Sequence, residues 1–170
     1  SVPYIQVETL KKNAKQALFL DTRESKEFEV SHLKNAQHIG FKKVNSSRLD
    51  KLMADLLGNK GRLIVVYCSI GVRSEVIGKK LISHGFTNVY NLYGGLFEWV
   101  NKGGEVFRQG SPTQKVHAYS KKWSRYLTKG IEGNVARVEP PEWDIAIFLP
   151  TEQFRGKNKT HVWGASKRMI

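Results

Sequence analysis

Residues 62–74 read RLIVVYCSIGVRS, and this stretch decides the fold. Arg62 to Tyr67 is apolar and rich in β-branched residues, the composition of a strand covered on both faces. It runs directly into Cys68. A short loop follows, Cys68-Ser69-Ile70-Gly71-Val72-Arg73, and a helix is expected from Ser74 to His84, with Ser74 as its cap and Gly85 as its stop. Strand, tight loop and helix in that order are one unit of a parallel α/β sheet.

The flanking chain repeats the alternation. Ala17 to Leu20 is a second continuous apolar run, ending at Asp21. Glu8 to Asn13 reads as a turn or two of helix. Ser25 to Val30 reads as a short helix capped by Ser25, and Ala36 to Ile39 as an extended piece. Ser46 or Ser47 opens a helix to Leu57 with Leu49, Leu52, Met53, Leu56 and Leu57 on one face, and Gly58 ends it. Asn88 to Leu92 is a further strand, Gly94-Gly95 a turn, and Leu96 to Lys102 the last helix of the unit. The expected fold is α/β, three layers, with a central, mostly parallel sheet and helices on both faces.

Beyond that unit the pattern changes. Tyr119, Trp123, Tyr126 and Leu127 fall at i, i+4, i+7 and i+8, one apolar stripe of a helix. The expected division is therefore a domain at 1–106, a basic, aromatic, helical extension at 107–130 that packs back on it, and a tail at 131–170, where Asp144 to Leu149 suits a strand. The 170-residue chain carries a net charge of +13, with +7 of it after residue 106. A basic surface attracts anionic small molecules, nucleic acid or acidic membranes. No zinc-ligand spacing, phosphate-binding glycine loop or RNA-binding signature accompanies it, so solvated basic faces are expected and no nucleic-acid partner. No apolar run reaches the ~20 residues of a membrane span. A cytoplasmic protein is expected, although Ser1 rather than Met opens the chain. There is no signal for an oligomeric state.

Cys68 is the only cysteine, so no internal disulfide forms. A lone cysteine is either inert core filling or a functional thiol, and here the context favours function. Ligands of open α/β sheets bind at the carboxyl ends of the strands, where Cys68 stands. A tight loop turns its N–H groups inward, and the following helix adds unpaired N–H groups and its dipole. Gly71 supplies the backbone freedom and Arg73 a permanent charge. Such surroundings favour thiolate, the attacking species in sulfur exchange. The expected site is Cys68 and Arg73 as catalytic residues, with Ser69, Ile70, Gly71, Val72, Arg73 and Ser74 as the binding loop. The competing role for Arg73 is an ion pair with Glu75. His38, His117 and His161 show no metal-ligand spacing, and no metal, nucleotide or flavin is expected.

The loop and its surroundings resemble the rhodanese superfamily. Leu20-Asp21-Thr22-Arg23-Glu24 resembles its early Asp-x-Arg strand end. Glu27-Phe28, Ser31-His32-Leu33 and Ala36-Gln37-His38-Ile39 resemble its next signature. Asn91-Leu92-Tyr93-Gly94-Gly95 with Trp99 resembles the closing one. The resemblance covers Tyr4 to Gly103, with the blocks in the family's order. Ser31, Lys34 and Asn35 depart from its Gly-His and Pro-Gly positions, and Ser69 stands where many members have Arg. By resemblance, Asp21, Arg23 and His32 are structural supports. The six-residue loop, Cys68 to Arg73, resembles that of the sulfurtransferases; related phosphatases have seven residues, and the place of their Arg is taken here by Ser74.

The resemblance implies ping-pong transfer of a sulfane sulfur. Cys68 takes it from a small anionic donor, thiosulfate or a persulfide, and becomes a persulfide. An external acceptor takes it on: a thiol, cyanide or a protein cysteine. Two other classes are a relay module that hands sulfur to one protein partner, docking by the basic C-terminal segment, and a phosphatase-like or arsenate-handling enzyme. A regulatory domain without activity is a fourth reading, and such domains commonly lose the cysteine.

Overall fold

The computed structural model describes residues 1–41 and 46–128 and the backbone of residues 131–133. Five strands form one sheet: β1 (Tyr4–Ile5), β2 (Leu18–Asp21), β3 (Gln37–His38), β4 (Ile64–Tyr67) and β5 (Val89–Leu92). Their spatial order is β1-β5-β4-β2-β3, and each neighbouring pair is parallel. The strand that leads into Cys68, β4, is therefore central. All four of its residues are buried, as are all four of β2, which is why both read as unbroken apolar runs.

The helices cover both faces, and alternate strand residues point to each. On one face Phe19, Val65, Tyr67 and Leu92 meet Val7 and Leu10 of α1 (Val7–Asn13) and Leu96, Phe97, Trp99 and Val100 of α5 (Gly95–Asn101). On the other, Leu18, Leu20, Ile64, Val66 and Val89 meet Leu49, Leu52, Met53 and Leu56, which belong to or directly follow α3 (Ser46–Asp55). Ile77 and Leu81 of α4 (Val72–Ser83) join that second layer. Each fully buried aliphatic side chain here contributes ~1.5–3 kcal/mol. The three-layer α/β expectation matches this architecture.

Local differences have local causes. The helix α2 (Ser25–Val30) is capped by Glu24, not Ser25. Glu24 and Glu27 form a reciprocal capping box, each side chain taking the other's backbone N–H. The helix after Cys68 opens at Val72, two residues before the expected Ser74. Gly71, with φ of +101°, makes the turn itself, and Ser74 lies inside the first helical turn instead of capping it. Leu57–Asn59 forms a separate 3₁₀ turn after α3, and that turn carries Leu57 off the expected apolar face to 61 % exposure.

The segment after α5 is not the expected helix. Val106–Arg108 (β6) and Ser111–Thr113 (β7) form an antiparallel hairpin, and the 106/107 division falls inside β6. Gln109 and Gly110, both at positive φ, make its two-residue turn. Phe107 exchanges both backbone hydrogen bonds with His32, which ties the hairpin to the chain after α2. Next, β8 (Lys115–His117) packs on α2 and pairs in parallel with β9 (Ile131–Gly133). Helix α6 is only Lys121–Ser124. Tyr119 at φ +64° and Ser120 in extended backbone break the helical register that the aromatic stripe suggested. Trp123, Tyr126 and Leu127 still pack against the first core layer. Asn101 at the end of α5 holds that stretch by hydrogen bonds to the Tyr126 carbonyl and the Thr128 N–H, 2.8 Å each. Asp144 to Leu149 lies outside the described residues. Among the described residues no helix is long and apolar enough to cross a membrane.

Candidate functional site

Cys68 follows the last residue of β4, at the carboxyl end of the sheet, and is 1 % exposed. Its sulfur accepts the Gly71 N–H at 3.1 Å. The chain achieves this turn because Gly71 takes the left-handed conformation and hands directly into α4. Burial pushes the Cys68 thiol up. The Arg73 charge, the N–H groups of Ser74 and Ile70 and the Ser74 hydroxyl outweigh burial, and the net effect is a thiol below its ordinary pKa. The Ser74 hydroxyl has one proton, however, and Asn91 Oδ1 accepts it at 2.8 Å. The backbone N–H groups and Arg73 are therefore the firmer supports of the thiolate.

Three of the loop's carbonyls, those of Cys68, Ser69 and Gly71, accept hydrogen bonds from the neighbouring elements. The N–H groups of Leu96 and Phe97, at the start of α5, donate to the carbonyls of Cys68 (2.8 Å) and Ser69 (3.1 Å). Gly95 makes this approach possible. A Cβ there would lie 2.5 Å from the Cys68 carbonyl oxygen, and its φ of +61° also favours glycine. Asn91, buried on β5, holds the Gly71 carbonyl: its Nδ2 donates to it at 2.8 Å. The closing Asn-Leu-Tyr-Gly-Gly stretch is thus the back wall of the cysteine loop.

Arg73 is held by Glu27. Two short bonds join the guanidinium to the carboxylate, Nη1 to Oε2 at 2.6 Å and Nη2 to Oε1 at 2.8 Å. The anticipated partner Glu75 instead lies 3.5 Å from Lys79 and accepts the Val2 N–H. Ser69 closes the network, donating to Glu27 Oε1 and accepting from Arg73 Nη2, 3.0 Å each. Burial alone pushes the Glu27 carboxyl up; the hydrogen bonds and charge of Arg73, the Arg23 charge and the Glu24 N–H prevail and hold it down to about 2. Arg73 also lies 4.9 Å from the Tyr119 ring centroid.

A cavity of about 30 Å³ opens at the sulfur, lined by Cys68, Ser69, Ile70, Val72, Arg73, Tyr119 and Trp123. Five of the seven expected loop residues, Cys68, Ser69, Ile70, Val72 and Arg73, line it. Gly71 and Ser74 shape the loop from behind. Asp21 and Arg23 stand apart from it as a fully buried pair at 2.6 Å, and Arg23 also donates to the Ser31 carbonyl. His32 donates from Nδ1 to the Leu33 carbonyl and stacks on Phe28 at 4.1 Å. All three hold loops in place. Among the described residues, no group of three His, Cys, Asp or Glu side chains converges as metal ligands would.

Glu27, Asn91, Tyr119, Trp123 and His117 had no site role in the sequence reading. His117 is 2 % exposed, and its Nδ1 accepts the Tyr119 N–H at 3.0 Å. Burial lowers its pKa; Glu27 opposes this and Arg23 and Arg73 reinforce it. Asn91 lay in the quoted closing motif, and Glu27 in an earlier one. The partner of Glu27 is 46 residues away, a pairing that sequence spacing does not display.

At the carboxyl end of this α/β sheet, the Gly71 N–H and the Arg73 charge surround a buried cysteine. A family model for the rhodanese-like domain matches residues 6–102. The chain belongs to the rhodanese-like domain family. A tRNA uridine(34) hydroxylase from Hamiltonella defensa is 39 % identical over 87 residues, which make up 49 % of this chain and 23 % of that protein. The chain spans about a quarter of the length of the curated relatives it matches. A rhodanese-related protein from Thermoplasma volcanium is 26 % identical with a TM-score of 0.52, over 62 % of this chain and 97 % of that one. A thiosulfate sulfurtransferase from Pseudomonas aeruginosa shares the fold at 20 % identity and a TM-score of 0.54, over 74 % of this chain and 23 % of that one.

Proposed function

We propose that this chain is a sulfurtransferase in which Cys68 carries a sulfane sulfur as a persulfide. The observation that carries the reading is the sulfur of a buried cysteine receiving the Gly71 N–H at 3.1 Å at the start of a twelve-residue helix. The Cys68 thiolate attacks the outer sulfur of a donor. A new S–S bond forms, the donor's own S–S bond breaks, and its electron pair leaves with the inner sulfur as sulfite or a thiolate. The persulfide, also anionic, is held by the N–H groups that held the thiolate. Cys68 is the only cysteine of these 170 residues, so the acceptor comes from outside them: a thiol, cyanide or a protein cysteine. A thiol that must stay reduced suits the cytoplasm.

Intact-mass measurement after incubation with thiosulfate or a small persulfide tests this, with Cys68→Ser as control. The expected result is a gain of about 32 Da that cyanide reverses and the control lacks. Absence of the adduct with both donors sinks the reading.

The names of the relatives favour a second reading, in which this domain serves tRNA modification, and the net charge of +13 suits that substrate. The sulfur-transfer reading requires no nucleic acid. Retention of tRNA at about 0.15 M salt, together with altered uridine in the recovered tRNA, would put the second reading first.

A further inference from the structure

We propose that Tyr119 and Trp123 select the sulfur donor, favouring an organic persulfide with a slender arm over thiosulfate; this deepens the transfer reading and rests on it. Both residues lie beyond the 6–102 span of the family match, yet both line the cavity at Cys68. With Ile70 and Val72 they make its walls largely apolar. Among the described residues, Arg73 is the one cation lining it, and both of its outer nitrogens are already engaged by Glu27.

Thiosulfate carries two negative charges. Bringing it to Cys68 strips water from them, and the wall offers apolar and aromatic surface in exchange. An organic persulfide carries at most one negative charge, and none in the protonated form R–S–SH that a thiolate attacks, so less water is stripped, and an apolar arm gains by packing on the rings. The step balances as Cys68–S⁻ plus R–S–SH giving Cys68–S–SH plus R–S⁻, so no further oxidant or reductant enters.

The wall is built rather than incidental. Tyr119 is a bulky residue at φ +64°, a conformation that persists only where its surroundings enforce it. His117 enforces it by accepting the Tyr119 N–H at 3.0 Å, and Arg73 by its contact with the ring. Trp123 is fixed against the core and packs on Tyr126 at 5.5 Å between ring centroids.

The test compares initial rates of persulfide formation, followed by intact mass, for thiosulfate and for the persulfide of 2-mercaptoethanol at equal concentration. Both donors meet the same folded fraction, so their ratio survives partial loss of stability in a variant. The wild-type chain should favour the persulfide by about tenfold or more, Tyr119→Phe should keep that ratio, and Tyr119→Ala should lower it by about tenfold. Trp123→Lys, which places a cation in the wall, should move the preference toward thiosulfate. A wild-type ratio near one, or a ratio unchanged in both Tyr119→Ala and Trp123→Lys, overturns donor selection and leaves sulfur transfer standing. No adduct from either donor in the wild-type chain overturns the transfer reading and this inference with it.

Discussion

Two arginines are buried near the carboxyl ends of the neighbouring strands β2 and β4, each paired with a carboxylate at 2.6 Å. Arg23 pairs with Asp21, two residues before it, and spends its other bonds on the Ser31 carbonyl. Arg73 pairs with Glu27, far away in sequence, and lies between the cysteine, Ser69 and Tyr119. The first pair is sealed, with neither side chain exposed. The second reaches the cavity, with 8 % of the Arg73 side chain exposed. The same chemical pair therefore lies sealed in the fold in one place and, in the proposed function, beside the nucleophile in the other. What separates them is access to the sulfur.

Breaking each pair from one side should expose that difference. Arg23→Met leaves Asp21 buried without its partner and should cost about 3–5 kcal/mol of stability, read by denaturant unfolding. The Cys68 that remains folded should keep its reactivity. Arg73→Met should cost somewhat less, about 3 kcal/mol, because water reaches its partner more easily. It should also raise the Cys68 pKa, read as a rightward shift of the pH dependence of alkylation. Equal alkylation profiles in the two variants would erase the distinction.

Gly95→Ala sharpens the comparison by disturbing the loop without touching either pair. The added methyl meets the Cys68 carbonyl and forces a strained φ, so a loss of about 1–3 kcal/mol is expected together with slower Cys68 chemistry. The crystal structure of this variant should show the loop displaced and both ion pairs intact.

Acid gives the smallest and most graded effect. The Glu27 carboxyl, held down to about 2, is ordinarily protonated near ~4.3 in an unfolded chain. The unfolded state therefore takes the proton first, and this pair's stabilisation is whole above ~4.3 and is lost as pH falls toward 2. His117, with its pKa lowered by burial, has the same sign at higher pH. The unfolded imidazole protonates first, so stability is whole above ~6.5 and declines below it. Melting temperature against pH should fall in two steps, and His117→Gln should remove the upper one.

How much of this is legible in sequence depends on what surrounds each segment. The runs at Ala17–Leu20 and Arg62–Tyr67 are covered on both faces, so composition alone marks them as strands. The cysteine loop is legible because its geometry is local: a strand end, a glycine and a helix start within a few residues. The stretch from Val106 to Leu127 packs through a hairpin, a single strand and one short helical turn. Its aromatic spacing mimicked a helix, and the signal against one, the Gln109-Gly110 turn, marks only the hairpin. The partner of Arg73 was hidden for a different reason. Glu75 is the nearer carboxylate in sequence, but α4 carries it to the Val2 N–H, while the capping box of α2 aims Glu27 inward.

The rate of Cys68 alkylation by iodoacetamide as a function of pH shows directly whether the loop lowers the pKa of this sulfur. A single titration is expected, with its midpoint below the ~8.5 of a free cysteine. A midpoint at or above that value would mean that burial prevails over Arg73 and the loop N–H groups, and that this loop does not activate the thiol.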